Sequence, residues 1–138
     1  MKLRVLIVDD HKLYRDALRE ILASQPNIEV VAEAGDGLEG LARAGETAPD
    51  IVCMDVSMRG MNGIDATRRL VEVQPGVRVI ALSMHSVKEY ILAMLKVGAR
   101  SYLTKGEAGQ HLLPAIRAVL AQQTYLCPLA AVAVSDIG

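Results

Sequence analysis

Four short apolar segments of this sequence each end in a side chain that could take part in chemistry. Asp9 and Asp10 follow the first of them, Asp55 ends the second, Ser83 ends the third and Lys105 follows the fourth. If these segments are parallel strands of one sheet, their carboxyl ends meet at one edge, which is where open α/β sheets bind ligands. A single acid or lysine at a strand end is ordinary, but this combination on four strands predicts a functional site.

The acidic residues of this predicted site need cations. Carboxylates that are crowded together repel one another, and burial without partners raises their pKa until they protonate. Lys105 offers one positive charge against three carboxylates. Oxygen ligands suit a hard divalent ion, and Mg²⁺ held by a few carboxylates and phosphate oxygens is a common arrangement. Metal, lysine and hydroxyl together would bind the oxygens of a phosphoryl group.

Strands must alternate with helices if these residues are to meet. Short β-branched runs predict five strands, at Leu3–Val8, Ile28–Ala34, Asp50–Asp55, Val77–Ser83 and Arg100–Thr104. Stretches with helical spacing lie between these runs and after the last one. We therefore expect an α/β fold, a (βα)5 doubly wound domain with a five-stranded parallel sheet covered on both faces.

Glycine and proline residues predict where some of the helices begin and end. Gly45 and Gly98 are expected to end helices, because glycine readily adopts the left-handed conformation found there. Pro114 should place the start of the fifth helix near Leu112 or kink it. That helix carries more apolar residues between Leu112 and Ala121 than one buried stripe needs, which suggests a face for another subunit.

Composition excludes several classes of protein. The chain has 138 residues, 51% of them hydrophobic and 22% charged, which is one domain's worth. Its net charge of -1 lacks the basic excess of a nucleic-acid-binding domain. No apolar run approaches the ~20 residues that span a bilayer, and the first residues do not resemble a signal peptide. Cys53 and Cys127 suit neither a disulfide framework nor a zinc site. We expect a cytoplasmic protein with no membrane contact.

Several segments together resemble the receiver domains of two-component response regulators. The matching segments are Val8–His11, Met54–Gly63, Ala81–His85, Gly98–Tyr102 and Leu103–Lys105. Their order and spacing imply a receiver domain over residues 1–123 with the flavodoxin-like fold of chemotaxis receivers.

Four segments, two of them within those already named, resemble one subgroup of these receivers. The segments similar to the NarL/LuxR type, in which a helix-turn-helix DNA-binding domain follows the receiver, are Leu82–His85, Ser101–Lys105, Ile116–Val119 and Tyr125–Pro128. After Gln123 the alternating pattern breaks. Residues 124–138 are therefore interpreted as a linker or tail that leads towards such a domain.

The resemblance implies a role for each strand-end residue. Asp55 would accept a phosphoryl group from a sensor histidine kinase, and Lys105 would pair with the resulting acyl phosphate. Asp10, Asp55 and the backbone carbonyl of Ser57 would hold Mg²⁺, with Asp9 acting directly or through water. The chain would then be a phosphoacceptor that assists its own phosphorylation and dephosphorylation rather than an enzyme.

The resemblance also implies how the signal leaves the site. Ser83 would reorient to donate to the phosphoryl group, and Tyr102 would be the aromatic switch that turns inward once Ser83 moves. Ser57 and His85 would flank the phosphate and influence how fast water removes it. A phosphorylation-enhanced homodimer is the expected state of the signalling form, and DNA would be bound only through a C-terminal domain.

Some features depart from the family pattern or suggest other functions. Arg59 and Gly106 stand where proline is frequent in the family. Arg59 therefore adds a charge near the acids, and Gly106 leaves the cis or trans conformation of the Lys105–Gly106 peptide bond open.

Gly35–Gly40 imitates a dinucleotide fingerprint, but Asp36 and Glu39 would repel a pyrophosphate. The alternatives are a stand-alone receiver that acts by protein contact and a Mg²⁺-dependent phosphatase of the haloacid-dehalogenase type. Such a phosphatase places its nucleophile on the first strand in Asp-x-Asp order. Here Asp9 and Asp10 are adjacent and are followed by His11, so the spacing does not match.

Overall fold

Strands and helices alternate along the chain, and a computed structural model describes them for residues 1–135. The strands are β1 (Leu3–Val8), β2 (Ile28–Ala34), β3 (Ile51–Asp55), β4 (Arg78–Ser83), β5 (Ser101–Thr104) and β6 (Tyr125–Leu126). The helices are α1 (Lys12–Ala23), α2 (Gly37–Thr47), α3 (Gly63–Val73), α4 (Lys88–Lys96), α5 (Ala108–Leu120) and α6 (Pro128–Ser135). The doubly wound α/β prediction is confirmed. No helix among the described residues is long and apolar enough to cross a membrane.

The strands form one parallel sheet in the order β2-β1-β3-β4-β5-β6. From β1 the chain goes to β2 on one side and then crosses to β3 on the other. The carboxyl ends of β1 and β3 therefore border the crevice where a doubly wound sheet binds its ligand. Val8 pairs with Met54 at this point, which brings Asp9 and Asp55 to neighbouring positions at the sheet edge.

The core between sheet and helices is almost entirely aliphatic. All five residues of β3 and the last five of β4 are buried, as expected of inner parallel strands. Tyr102 is the only aromatic side chain with no solvent exposure in the described part of the chain. Met54 and Met94 fill the core in place of aromatic residues, whereas Met84 is 71% exposed and lies outside it.

The segment after Gln123 is not an extended linker as far as Ser135. Its β6 adds a sixth strand beside β5, and α6 packs against α4 and β5. Cys127 and Ala130 are fully buried at this junction. A two-residue strand is too short to show a period, and α6 is apolar on every side, so neither has the pattern that predicts an element. Residues 136–138 lie outside the described part, and a following DNA-binding domain stays a prediction.

Helix ends follow the glycine and proline predictions only in part. Gly98, two residues after the end of α4, has a φ of 118°, as expected of a glycine that ends a helix. Gly45 instead lies inside α2, whose end is formed by Ala48 with a φ of 47°. Helix α5 begins at Ala108 rather than near Leu112, with Pro114 in its interior.

The predicted free apolar face of α5 is largely covered by the chain itself. Leu112, Ile116 and Val119 are buried, while Leu120 at the end of the helix is exposed. The helix packs on β4, β5 and β6 and also contacts α1, which accounts for the burial. Most of the apolar side chains expected to meet a second subunit are therefore covered by the chain itself, while Leu120 stays exposed.

Candidate functional site

Lys105 lies between two buried carboxylates at the edge of the sheet. Its Nζ is 2.7 Å from Oδ2 of Asp9 and 3.3 Å from Oδ2 of Asp55. The side chains of Lys105, Asp9 and Asp55 are 6%, 1% and 3% exposed. Such burial is tolerable because each charge has an opposite partner. The strand-end residues of β1, β3 and β5 therefore meet as predicted.

Asp10 and His11 complete the acidic end of the site. One ligand atom from each of Asp9, Asp10, His11 and Asp55 lies within 4.8 Å of the others. His11 donates its backbone N–H to Oδ1 of Asp9 at 2.8 Å, and its Nδ1 lies 3.0 Å from Oδ1 of Asp10. The His11 side chain is 68% exposed. Its closeness to both acids was missed, although its position directly after them in the sequence could have suggested it.

Two buried carboxylate oxygens, Oδ2 of Asp9 and Oδ1 of Asp10, accept no hydrogen bond from the described residues. Lys105 Nζ lies 2.7 Å from the first and His11 Nδ1 lies 3.0 Å from the second, but neither contact has hydrogen-bond geometry. The short contact between Asp9 and Lys105 is thus an ion pair. Buried acceptors without donors are rare in native proteins unless a ligand or water satisfies them. Hard oxygen ligands in this number suit a divalent cation such as Mg²⁺, so the residues fit the predicted metal.

The pKa of Asp55 is raised from 3.8 to about 6. Burial is the largest cause, and the negative charge of Asp9 adds to it. Lys105 and the backbone N–H of Ser57, which donates to Oδ1 of Asp55 at 3.2 Å, act in the opposite direction. The carboxylate is therefore short of positive charge in the protein alone. Additional cationic charge at this site would favour its ionised form.

The predicted switch residues Ser83 and Tyr102 meet at the backbone of His85. The hydroxyl of Ser83 accepts the His85 N–H at 3.0 Å, and the hydroxyl of Tyr102 donates to the His85 carbonyl at 2.9 Å. The Tyr102 ring is already turned inward and fully buried. The side chains of Ser57 and His85, predicted to flank the phosphate, are exposed.

Helix α1 adds two contacts that sequence reasoning missed. Tyr14 donates its hydroxyl to the carbonyl of Lys105 at 3.2 Å, and its ring lies against the Lys105 ammonium. Arg15 donates from Nη1 to the carbonyl of Asp9 at 2.6 Å. In the sequence, Tyr14 is one member of an apolar helical stripe, so its contact with the site had no local signal.

The two departures from the family pattern both lie next to the site. Arg59, in the loop after β3, lines a cavity of about 450 Å³ together with Asp10, Ser57 and Asn62. The described part of the chain contains no cis peptide bond, which makes the bond between Lys105 and Gly106 trans.

Comparison with known proteins agrees with the sheet-edge geometry. The family model described as the response regulator receiver domain matches residues 5–117. The response regulator GacA of Pseudomonas viridiflava is 40% identical over 126 residues. The transcriptional regulatory protein DegU of Brevibacillus brevis is 37% identical over 127 residues. The matches cover 91% and 92% of this chain but only 59% and 54% of those two proteins.

A solved structure extends the similarity to nearly the whole chain. It is a two-component response regulator of the LuxR family from Aurantimonas sp. SI85-9A1, with 34% sequence identity and a TM-score of 0.93. The match covers 99% of this chain and 97% of that one, so it includes the region of β6 and α6. On these grounds the chain belongs to the response regulator receiver domain family and is similar to a LuxR-family member of it.

Proposed function

We propose that this receiver is activated when Asp55 accepts a phosphoryl group from a sensor histidine kinase. The observation that carries the proposal is the position of Lys105, whose ammonium lies between Asp55 and Asp9 at a site where two buried acid oxygens accept no hydrogen bond. A cation beside a carboxylate nucleophile can stabilise negative charge that develops on a transferring phosphoryl group.

The transfer forms one bond and breaks one. A carboxylate oxygen of Asp55 attacks the phosphorus of the kinase phosphohistidine, the P–N bond breaks, and its electron pair goes to the imidazole nitrogen. The product is an acyl phosphate on Asp55. Lys105 then moves its ammonium from the carboxylate to a phosphoryl oxygen, which is a short distance because Nζ already contacts Asp55 Oδ2.

Asp9, Asp10, Asp55 and the backbone carbonyl of Ser57 are the residues that we propose to hold Mg²⁺. When bound, the ion would supply positive charge that lowers repulsion between the carboxylates and the incoming phosphoryl group. His11 orients Asp9 through its backbone N–H. The raised pKa of Asp55 supports the proposal, because the protein alone leaves this acid with too little positive charge.

The signal would leave the site through Ser83 and Tyr102. Phosphorylation adds charge and acceptor oxygens near the Ser83 hydroxyl, which would exchange the His85 N–H for a phosphoryl oxygen. The Tyr102 hydroxyl donates to the carbonyl of the same residue, His85. The backbone carbonyl of Tyr102 in turn accepts the N–H of Cys127 at 3.2 Å. The chain segment that follows β5 in the sheet is thus in direct contact with the switch.

The output of the whole protein is a further proposal. DegU is called a transcriptional regulatory protein, and this chain spans little more than half of such relatives. We infer transcriptional control in the cytoplasm, with DNA bound by a domain outside this chain rather than by the receiver. A stand-alone receiver that acts by protein contact is the alternative. Phosphorylation-enhanced homodimerisation stays a prediction, although most of the apolar side chains of α5 that were expected to form its surface are buried.

Phosphorylation by a small donor tests the proposal directly. Incubated with acetyl phosphate, the protein should gain the mass of one phosphoryl group when Mg²⁺ is present and none when EDTA replaces it. Intact-mass spectrometry measures both. No mass gain under any Mg²⁺ concentration would overturn the proposal, and repeated release of phosphate from p-nitrophenyl phosphate would favour a phosphatase instead.

Mg²⁺ should also stabilise the folded protein, because it would coordinate the buried oxygens of Asp9 and Asp10 that accept no hydrogen bond from the described residues. Binding to the native state alone contributes about 2.7 kcal/mol at a hundredfold excess over Kd. Urea unfolding with increasing MgCl₂ at constant ionic strength measures the effect. Asp10→Ala should lose most of it, whereas Asp65→Ala, which removes an exposed acid of α3, should keep it. An equal response of Asp10→Ala and the parent protein would place the metal elsewhere.

A further inference from the structure

Tyr14 holds Lys105 at two separate points. Its hydroxyl donates to the Lys105 carbonyl at 3.2 Å, and the Lys105 ammonium lies 4.6 Å from the centre of its ring. The backbone N–H of Lys105 donates to the carbonyl of Ser83 at 2.8 Å. The backbone carbonyl, the backbone N–H and the ammonium of this lysine therefore each have a contact. Tyr14 of α1 provides those to the carbonyl and to the ammonium.

The ring contact has a particular consequence for a lysine this deeply buried. An ammonium group that has lost most of its water is attracted to the negative face of an aromatic ring, and the attraction is stronger when the pair is shielded from solvent. The ring accepts charge without accepting a directed hydrogen bond. It therefore leaves the Lys105 ammonium available for its hydrogen bond to Asp55 at 3.3 Å and its ion pair with Asp9 at 2.7 Å.

Lysine is flexible, with four methylene groups between backbone and charge. Lys105 and Tyr14 line a surface pocket together with the exposed side chains of Leu13 and Met84. Without the Tyr14 ring, the ammonium would be free to turn through this pocket towards solvent. Tyr14 closes that side. The geometry of the ring and the hydroxyl thus selects one position for the charge, at the nucleophile.

We propose that Tyr14 is a positioning residue for phosphoryl transfer, which keeps the Lys105 ammonium where the phosphoryl group arrives on Asp55. This inference rests on the proposed function, since it concerns the rate of the same step. Tyr14 does not contact the reacting atoms itself. Its effect on the reaction passes through Lys105.

Two substitutions distinguish the effect of the Tyr14 ring on the phosphorylation rate from the effects of its hydroxyl and of its volume. Tyr14→Phe keeps the aromatic face, and Tyr14→Leu keeps apolar volume without it. We expect Tyr14→Leu to lower the maximal rate of phosphorylation by acetyl phosphate at saturating Mg²⁺ about five- to tenfold, or about 1 to 1.4 kcal/mol. Tyr14→Phe should retain most of the rate, and the donor concentration at half-maximal rate should change little in either variant.

A double-mutant cycle distinguishes positioning of Lys105 from a general loss of packing. In a Lys105→Ala background, Tyr14→Leu should have no further effect on the rate, because the charge that it positions is gone. Ile21→Ala is the matched control, since Ile21 also packs from α1 against the core but lies about two helical turns beyond Tyr14. It should lower stability and leave the phosphorylation rate unchanged.

Proton NMR provides a readout that does not depend on activity. Protons beside an aromatic face are shifted upfield, so the ε-methylene protons of Lys105 should be upfield in the parent and in Tyr14→Phe and return towards ordinary lysine values in Tyr14→Leu. Ordinary values in the parent protein would overturn the inference.

The kinetic results discriminate between the inference and the proposed function beneath it. A parent protein that takes up no phosphoryl group contradicts the proposed function. If the parent is phosphorylated and Tyr14→Leu reacts equally fast, only the role of Tyr14 is contradicted. The same holds if Tyr14→Leu lowers the phosphorylation rate by the same factor in the presence and in the absence of Lys105.

Discussion

Asp55→Asn should abolish phosphorylation of the protein. The substitution keeps the shape of the side chain but replaces the anionic oxygen nucleophile by an amide and removes one charge from the proposed metal site. With acetyl phosphate and Mg²⁺, intact-mass spectrometry should find no phosphoryl gain in this variant. Asp65→Asn, an equivalent change at an exposed position of α3, should be phosphorylated like the parent. Phosphorylation of Asp55→Asn at the parent's rate would remove Asp55 from the role of acceptor.

The same substitution should stabilise the metal-free protein at neutral pH. The folded protein holds the proton of Asp55 up to a pKa of about 6, whereas the ordinary pKa of this group, which we take for the unfolded chain, is 3.8. Between these values the folded state binds more protons than the unfolded state, so stability falls as pH rises through this window. A shift of this size corresponds to roughly 2 to 3 kcal/mol above pH 6. The neutral amide of the variant carries no such penalty.

Urea unfolding in EDTA between pH 4 and pH 8 measures this effect. The difference in unfolding free energy between Asp55→Asn and the parent should be small near pH 4 and grow to its full value by pH 7. A difference that does not change over this range would show that the pKa of Asp55 is not raised. Saturating Mg²⁺ should reverse the order of stability, since the parent binds the ion with one more carboxylate.

The sequence was sufficient to predict the sheet edge because each of its strands carries its own signal. The run from Asp50 to Asp55 is apolar between its two acidic ends, and β3 differs from it by one residue. Once such strands are parallel and neighbouring, their terminal residues must converge. The meeting of Asp9, Asp55 and Lys105 follows from topology, without any knowledge of side-chain contacts.

Contacts that depend on packing between distant segments had no such signal. Tyr14 and Lys105 are 91 positions apart, and only the docking of α1 beside the end of β5 brings them together. Strand β6 forms because Tyr125 and Leu126 pair with the free edge of β5. This pairing depends on the position of that edge in the fold, and the two residues alone carry no strand pattern. In the same way, the inward position of Tyr102 depends on the His85 carbonyl that accepts its hydroxyl.

Gly63 has the least room of the glycines at the site, and Gly63→Ala should destabilise the protein strongly. A Cβ at this position would lie 2.1 Å from the carbonyl oxygen of Asp55 and 2.9 Å from Cα of Val56. Both contacts are with backbone, which cannot rotate away as a side chain would. The N–H of Gly63 also donates to the Val56 carbonyl at 2.9 Å, so the two segments cannot separate without losing that bond. We expect a loss of about 3 kcal/mol or more, the upper range for overpacking.

Gly45→Ala is the matched control, and the two substitutions should have opposite signs. Gly45 lies on the exposed side of α2 with nothing within 4 Å of the added Cβ, so alanine should stabilise the helix by about 0.5 to 1 kcal/mol. Urea unfolding of both variants measures the pair. Because the clash at Gly63 pushes on the backbone of Asp55 itself, any folded Gly63→Ala protein should also be phosphorylated about a hundredfold more slowly, as expected for a nucleophile displaced by about 1 Å. Parent-like stability and rate in Gly63→Ala would mean that α3 does not approach β3 as closely as described and does not hold Asp55 in place.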